Sequence, residues 1–216
     1  MATRAIFFDF DGVMADTLTY HLPAWTSILE GDYGFTPNPM TVKLNEGRPV
    51  YYIAQAVFEQ AGQAFTIDML QDVITKKNAL FRAINKSTVF PENFDLVRIA
   101  QERGMQIGLV TGTKRENLTV VIPDDLLAHF DIIITDGDTE QGKPSPDPYL
   151  AAAEKVAVHP GECLVIENAP IGIESAKAAG MFCIALKTTL SEEHLFQADV
   201  TFKNHAELLQ NLHQFI

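Results

Sequence analysis

The sequence predicts an α/β fold: a parallel sheet with helices on both faces, interrupted early by an inserted α-helical subdomain. Three observations carry that expectation. Short apolar runs of strand length recur along the chain, helical patterns alternate with the later runs, and a long helical stretch separates the first run from the second.

The apolar runs are AIFF (5–8), IGLV (107–110), DIIIT (131–135), CLVI (163–166) and FCIAL (182–186), rich in β-branched or aromatic residues. Residues 92–103 set Phe94, Val97, Ile99 and Ala100 on one helical face, with Gly104 as a stop. Residues 148–157 follow Asp147 as N-cap and carry Pro148 in the first turn. Residues 170–179 begin at Pro170 and end before Gly180, with Gly172, Ala176 and Ala179 as a small face for close packing. Residues 17–87 are helical in pattern (YHLPAWTSILEGDYGF, VYYIAQAVFEQAG, TIDMLQDVITKKNALFRAI), with turns marked by Gly34, Pro37, Pro39, Gly47, Pro49 and Gly62. The chain therefore divides into a core of residues 1–16 and 88–216 and an inserted helical unit of residues 17–87. Sheets of this kind bind ligands at the carboxyl ends of their strands.

Composition narrows the function. The chain has 216 residues, 47% hydrophobic and 20% charged, as globular proteins do. A net charge of -12 argues against sequence-independent nucleic-acid binding, which needs a cationic surface. No apolar run is long enough to cross a bilayer, and acids interrupt MATRAIFFDFDG where a signal peptide would stay apolar, so a cytoplasmic location is expected. Cys163 and Cys183 each open an apolar run and read as buried thiols. The six histidines show no zinc-binding spacing. A monomer is the simplest expectation for assembly.

Four strand ends carry polar residues. The first run ends in DFDGVMADT, where Asp9 and Asp11 flank one residue of extended chain and start on the same side, and Gly12 permits a sharp turn. The second ends in VTGTK, whose Thr111, Gly112 and Thr113 offer hydroxyls and backbone N–H groups suited to phosphate oxygens. The third leads to GKPSPDPY, which holds Lys143 in a proline-stiffened loop, and the fourth ends at Glu167–Asn168.

Those four stretches, in that order, resemble the motifs of the haloacid dehalogenase superfamily, and the likeness runs over essentially the whole chain. ENAPIGIESAKAAG, together with YHLPAW at 20–25, is similar to the β-phosphoglucomutase-like phosphatases and mutases that insert a helical cap after the first strand. The resemblance implies a Rossmann-like core with a lid. It also implies that Asp9 is the nucleophile taking the phosphoryl group, and that Asp11 acts as acid and then base. Thr111, Gly112 and Lys143 would hold the phosphoryl oxygens, and Mg²⁺ would be bound by Asp9, the backbone of Asp11, and Glu167–Asn168. Dehalogenases of the superfamily lack an acid at the position of Asp11, so phosphoryl transfer is the implied chemistry.

One departure matters. Many relatives have two acids where this chain has Glu167–Asn168, so the metal site loses a negative charge. Glu46, in LNEGRP of the lid, is the candidate to supply it when the lid closes. His21 and Arg48 fall near cap and hinge positions of sugar-phosphate mutases, and Arg48 could grip a distal phosphate. Lys76 or Lys77 could add a second charge. Three functions follow: a Mg²⁺-dependent phosphatase of a small phosphorylated metabolite (a sugar phosphate or pyrophosphate), a β-phosphoglucomutase-type isomerase, or a non-catalytic phosphometabolite sensor.

Overall fold

The computed structural model describes residues 3–216. The chain starts with β1 (Ala5–Phe8) and leaves it for four helices, α1 (Leu18–Tyr33), α2 (Pro39–Leu44), α3 (Val50–Gln60) and α4 (Ile67–Ile84). It returns through α5 (Glu92–Glu102) to β2 (Gln106–Val110), then α6 (Arg115–Leu118), α7 (Asp124–Leu127), β3 (Ile132–Ile134), α8 (Asp147–Lys155), β4 (Cys163–Glu167), α9 (Pro170–Ala178), β5 (Phe182–Leu186), β6 (Val200–Phe202) and α10 (His205–Asn211). No helix among the described residues is long and apolar enough to cross a membrane.

The sheet is parallel throughout, in the order β3-β2-β1-β4-β5-β6. β1 therefore sits at the centre, with Phe8 in register with both Leu109 of β2 and Ile166 of β4. That register brings the ends of three strands together at the point where the strand order reverses. Alternate residues of β1 serve opposite faces: Ile6 and Phe8 join Leu96, Val97, Leu109 and Leu208, whereas Ala5 and Phe7 join Tyr149, Ala152, Val165 and Ile173. Both faces are covered, so β1 is apolar at every position.

The helices α1, α3 and α4 enclose their own apolar cluster of Trp25, Leu29, Ile53, Val57, Phe58, Leu70 and Val73. Local signals fix their ends. Thr66 accepts a hydrogen bond from the Met69 N–H to cap α4, Asn38 does the same for α2 from Met40, and Gly34 ends α1 at φ 72°.

Three local expectations need correction. A sixth strand, β6, is present; at three residues it is too short to show a pattern and exists by pairing with β5. Asp147 is the first residue of α8 and not its cap, which falls at Pro146. On α5, Phe94 is exposed, and the buried stripe is Asn93, Leu96, Val97 and Ala100. Asn93 earns its burial by donating to the carbonyls of Val13 and Met14, tying α5 to the loop after β1.

Candidate active site

Asp9 and Asp11 follow β1 and are both buried, while Phe10 between them points into the core. The Asp9 N–H continues the ladder by donating to the Ile166 carbonyl at 2.9 Å, which fixes its position beside β4. Gly12 turns the chain at φ +84°, and a Cβ there would lie 2.1 Å from Nδ2 of Asn168. The turn therefore needs glycine both for its backbone and for the approach of the fourth loop.

Lys143 is buried at the centre. Its Nζ donates to Oδ1 of Asp9 at 2.7 Å, to Oε1 of Glu167 at 2.7 Å and to the Val110 carbonyl at 2.9 Å. Tyr149 of α8 lies beneath it, the ammonium 4.8 Å from the ring centroid, and donates its hydroxyl to the same Glu167 oxygen at 2.8 Å. Gly172, in the first turn of α9, leaves room for that carboxylate, since a Cβ would fall 1.8 Å from Oε1. Burial disfavours the Lys143 ammonium, but Asp9 and Glu167 more than offset this and hold its pKa above the ordinary lysine value. Burial pushes Asp9 up to about 8, aided by the charges of Glu167 and Asp11 and opposed by Lys143.

Asp11 is held differently. Its Oδ1 accepts from the Thr17 hydroxyl and faces Nε2 of His21 at 3.3 Å, and its Oδ2 accepts from the Thr113 hydroxyl at 2.7 Å. Burial raises its pKa, yet the His21, Thr17 and Thr113 hydrogen bonds more than reverse this, leaving the carboxyl below the usual range. His21 is stacked on Phe81 with centroids 3.8 Å apart, and Nζ of Lys77 lies 2.9 Å from its Nδ1. Burial and the Lys77 charge lower His21 to about 4, so the ring is neutral. An ammonium can only donate, so Nδ1 accepts and Nε2 carries the proton offered to Asp11.

The structure gathers the residues singled out by sequence unevenly. Asp9, Asp11, Gly12, Thr111, Gly112, Thr113, Lys143, Glu167 and Asn168 come from strand ends and the loops after them, and His21 of α1 and Glu46 of the loop after α2 reach the same centre. Thr111 is buried and accepts from the Thr113 N–H at 3.0 Å. Glu46 is already buried in this arrangement, and burial followed by the nearby Asp11 charge raises its pKa well above the ordinary value, against the pull of Lys77. Arg48 lines a cleft of about 730 Å³ that Thr111, Gly112 and Lys143 line as well, with Tyr52, Asp136 and Glu140, and its Nε is buried without a partner.

Lys76 is a correction. It is exposed and bridges Asp32 at 2.7 Å and Asp72 at 2.8 Å, away from the site. The next residue is the one that faces inward, because a helix turns about 100° per residue. Leu70, Val73, Lys77 and Phe81 form the buried stripe of α4, and that spacing was the available signal for Lys77. Thr17 and Tyr149 also went unrecognised. Tyr149 shares a face with Ala152 and Ala153 and reads as plain core.

The oxygens fit a hard divalent cation. Oδ1 of Asn168 is buried with no hydrogen-bond partner, while its Nδ2 is held by Thr189 at 2.8 Å. With Lys143 on Oδ1 of Asp9, that carboxylate offers Oδ2 on the other side. Four acidic side chains (Asp9, Asp11, Glu46, Glu167) face two lysines (Lys77, Lys143), and burial with the charge of Glu167 holds Asp9 at about 8. Oxygen donors short of positive charge suit Mg²⁺. No cluster of three or more His, Cys, Asp or Glu in metal-holding geometry occurs among the described residues, so backbone and amide oxygens would have to contribute.

The family model of haloacid dehalogenase-like hydrolases matches residues 3–180. The chain belongs to this family. Among its relatives is fructose-1-phosphate phosphatase YqaB of Escherichia coli K12, 31% identical over 84% of this chain and 95% of that protein. β-Phosphoglucomutase of Bacillus subtilis is 28% identical over 98% of this chain and 94% of its own length. The crystal structure of Clostridium difficile β-phosphoglucomutase superposes over 98% of this chain and 96% of that one at a TM-score of 0.83 and 23% identity, a likeness of fold. This haloacid dehalogenase-like hydrolase is a phosphoryl-transfer enzyme with the Rossmann-like α/β architecture of its family.

Proposed function

We propose that the chain is a Mg²⁺-dependent phosphatase that hydrolyses a small phosphorylated metabolite, of the sugar-phosphate or pyrophosphate class, through an aspartyl phosphate on Asp9. The observation that carries this reading is the contrast between two buried aspartates at one strand end. Asp9 is bridged to Lys143, whereas Asp11 is held ionised by Thr17, Thr113 and His21.

Asp9 attacks phosphorus, the bond to the leaving oxygen breaks, and Asp11 gives that oxygen its proton. An incoming phosphate raises the Asp11 pKa by like charge, which makes the protonated form available. Afterwards Asp11 takes a proton from water, the water oxygen bonds to phosphorus, and the bond to Asp9 breaks to release phosphate. The arrangement seen here, with Asp11 anionic, is the one this second half requires. Lys143, Thr111 and the Gly112 N–H hold the phosphoryl oxygens as charge develops. Asp9, the Asp11 carbonyl and Asn168, with Glu167 and Glu46 as further candidate oxygens, would hold Mg²⁺, which when bound would supply counter-charge for the approach of one anion to another.

Buried Glu46 favours water as the acceptor, because it brings a carboxylate where a bisphosphate's second group would need cations. The kinship to a fructose-1-phosphate phosphatase supports the same class of substrate. In this reading the helical unit of residues 17–87 is a cap, and the enzyme is a cytoplasmic monomer whose cap opening controls access.

A phosphate-release assay over sugar phosphates (fructose 1-phosphate among them), nucleotides and pyrophosphate tests it. The expected result is Mg²⁺-dependent release from a sugar phosphate or pyrophosphate. Isomerisation of β-glucose 1-phosphate without phosphate release would overturn it in favour of a mutase, and binding without turnover in favour of a sensor.

A further inference from the structure

We propose that Gly142 and Gly112 form the seat on which the cap closes, and that closure requires both to lack a side chain. A Cβ on Gly142 would lie 2.5 Å from Cγ and 2.7 Å from Cδ of Pro49, with the Pro49 nitrogen next at 3.9 Å. A Cβ on Gly112 would lie 2.4 Å from the Gly47 carbonyl oxygen, and 2.8 and 2.9 Å from the carbonyl of Arg48. Every one of these atoms belongs to the cap loop at 47–49. None belongs to the core.

Backbone conformation does not demand glycine at either position. Neither residue is among the glycines with positive φ, so both backbones accept alanine once the cap is away. Gly12 and Gly172 differ, because their close neighbours are Asn168 and Glu167 of the core itself. At Gly142, whose third-nearest atom is already 3.9 Å away, the need for glycine therefore arises only in the closed arrangement, and at Gly112 the tightest approaches arise there. A side chain at position 142 would leave the open state untouched and oppose the closed one.

The location gives the seat its consequence. Gly142 precedes Lys143, and Gly112 follows Thr111, so the loop docks against the two segments that carry the phosphoryl-binding side chains. Gly47, turning at φ +87°, lies close over Lys143, where a Cβ would sit 3.4 Å from Cδ. The same docking holds Glu46 buried. Elsewhere the cap meets the core through His21, 3.3 Å from Asp11, through Leu44, packed on one sheet core, and through Arg82, whose guanidinium is 3.2 Å from Glu116 and from Oδ1 of Asn117. Gly142 is a positioning residue, which acts on the reaction through the cap loop; Gly112 seats the same loop besides offering its N–H to the phosphoryl group.

Closure being needed for turnover rests on the phosphatase reading, so the test has a readout that does not. In Gly142→Ala, hydrogen exchange of residues 44–52 and thermal unfolding are measured beside phosphate release from fructose 1-phosphate and pyrophosphate. Expected are faster exchange of the 46–49 amides by about tenfold, an unchanged or raised Tm, and a kcat/KM lower by about tenfold or more. Adding Pro49→Ala, which removes Cγ and Cδ, should return exchange and kcat/KM to the values of Pro49→Ala alone. Wild-type exchange in Gly142→Ala, or effects that merely add in the double variant, would overturn the proposal. So would a fall in Tm that Pro49→Ala does not relieve. If the wild type releases phosphate from no substrate, the phosphatase reading fails and exchange alone still decides the seat.

Discussion

Lys76 and Lys77 are consecutive, chemically identical and opposite in circumstance. Lys76 bridges two exposed aspartates, whereas Lys77 is buried between His21, Trp25 and Phe81. Burial lowers the Lys77 pKa to about 8, against the attraction of Glu46 and Asp11. Only the ammonium fixes the His21 tautomer by donation, and the ammonium prevails below the pKa. Activity should therefore fall as pH rises through about 8, and this alkaline limb should vanish in Lys77→Met. That variant should also lose roughly tenfold to a hundredfold in kcat/KM, as expected for a group that orients an acid–base residue. Lys76→Met should stay within about twofold, since exposed ion pairs contribute little. Comparing the two pH–rate profiles checks both statements. Individual residues were legible where their chemistry stood out against an apolar strand, as at Asp9 or Glu167. Tyr149 did not stand out, because its role is visible only once Glu167 and Lys143 are beside it.

At the scale of elements, the four strand ends were readable because each breaks an apolar run with polar residues, and parallel strands deliver those ends to one edge. β6 was not readable, since three residues carry no period and the strand depends on its partner. The stripe on α5 was misjudged at Phe94 because a buried amide, Asn93, occupies the inward position in its place. The cap loop is the element whose sequence pointed furthest: LNEGRP suggested Glu46 as a partner for the centre, and the loop does hold it buried beside Asp11 and Lys77. If Glu46 compensates for Asn168, then Glu46→Gln should raise the Mg²⁺ concentration needed for half-maximal turnover by about tenfold, one lost charge at close range. Titrating Mg²⁺ against turnover in both proteins measures this. An unchanged Mg²⁺ dependence sinks the role.

For the whole molecule, one apolar core lies on each face of the sheet, and a third gathers residues of α1, α2, α3 and α4. The four helices between β1 and α5 were legible from the long interval between the first two strands. The fit between the parts was not, because it depends on atoms of Pro49 and Gly142 that no periodicity relates. All of it converges on Asp9, whose position at the centre of the sheet makes it the common neighbour of Lys143, Asp11 and Glu167. The most direct measurement is mass spectrometry of the Asp9-bearing peptide from enzyme acid-quenched during turnover. A single phosphoryl adduct on Asp9, absent from inactive Asp9→Asn, is the expected result. Phosphate release by Asp9→Asn at the wild-type rate, or an adduct on another residue, would contradict it.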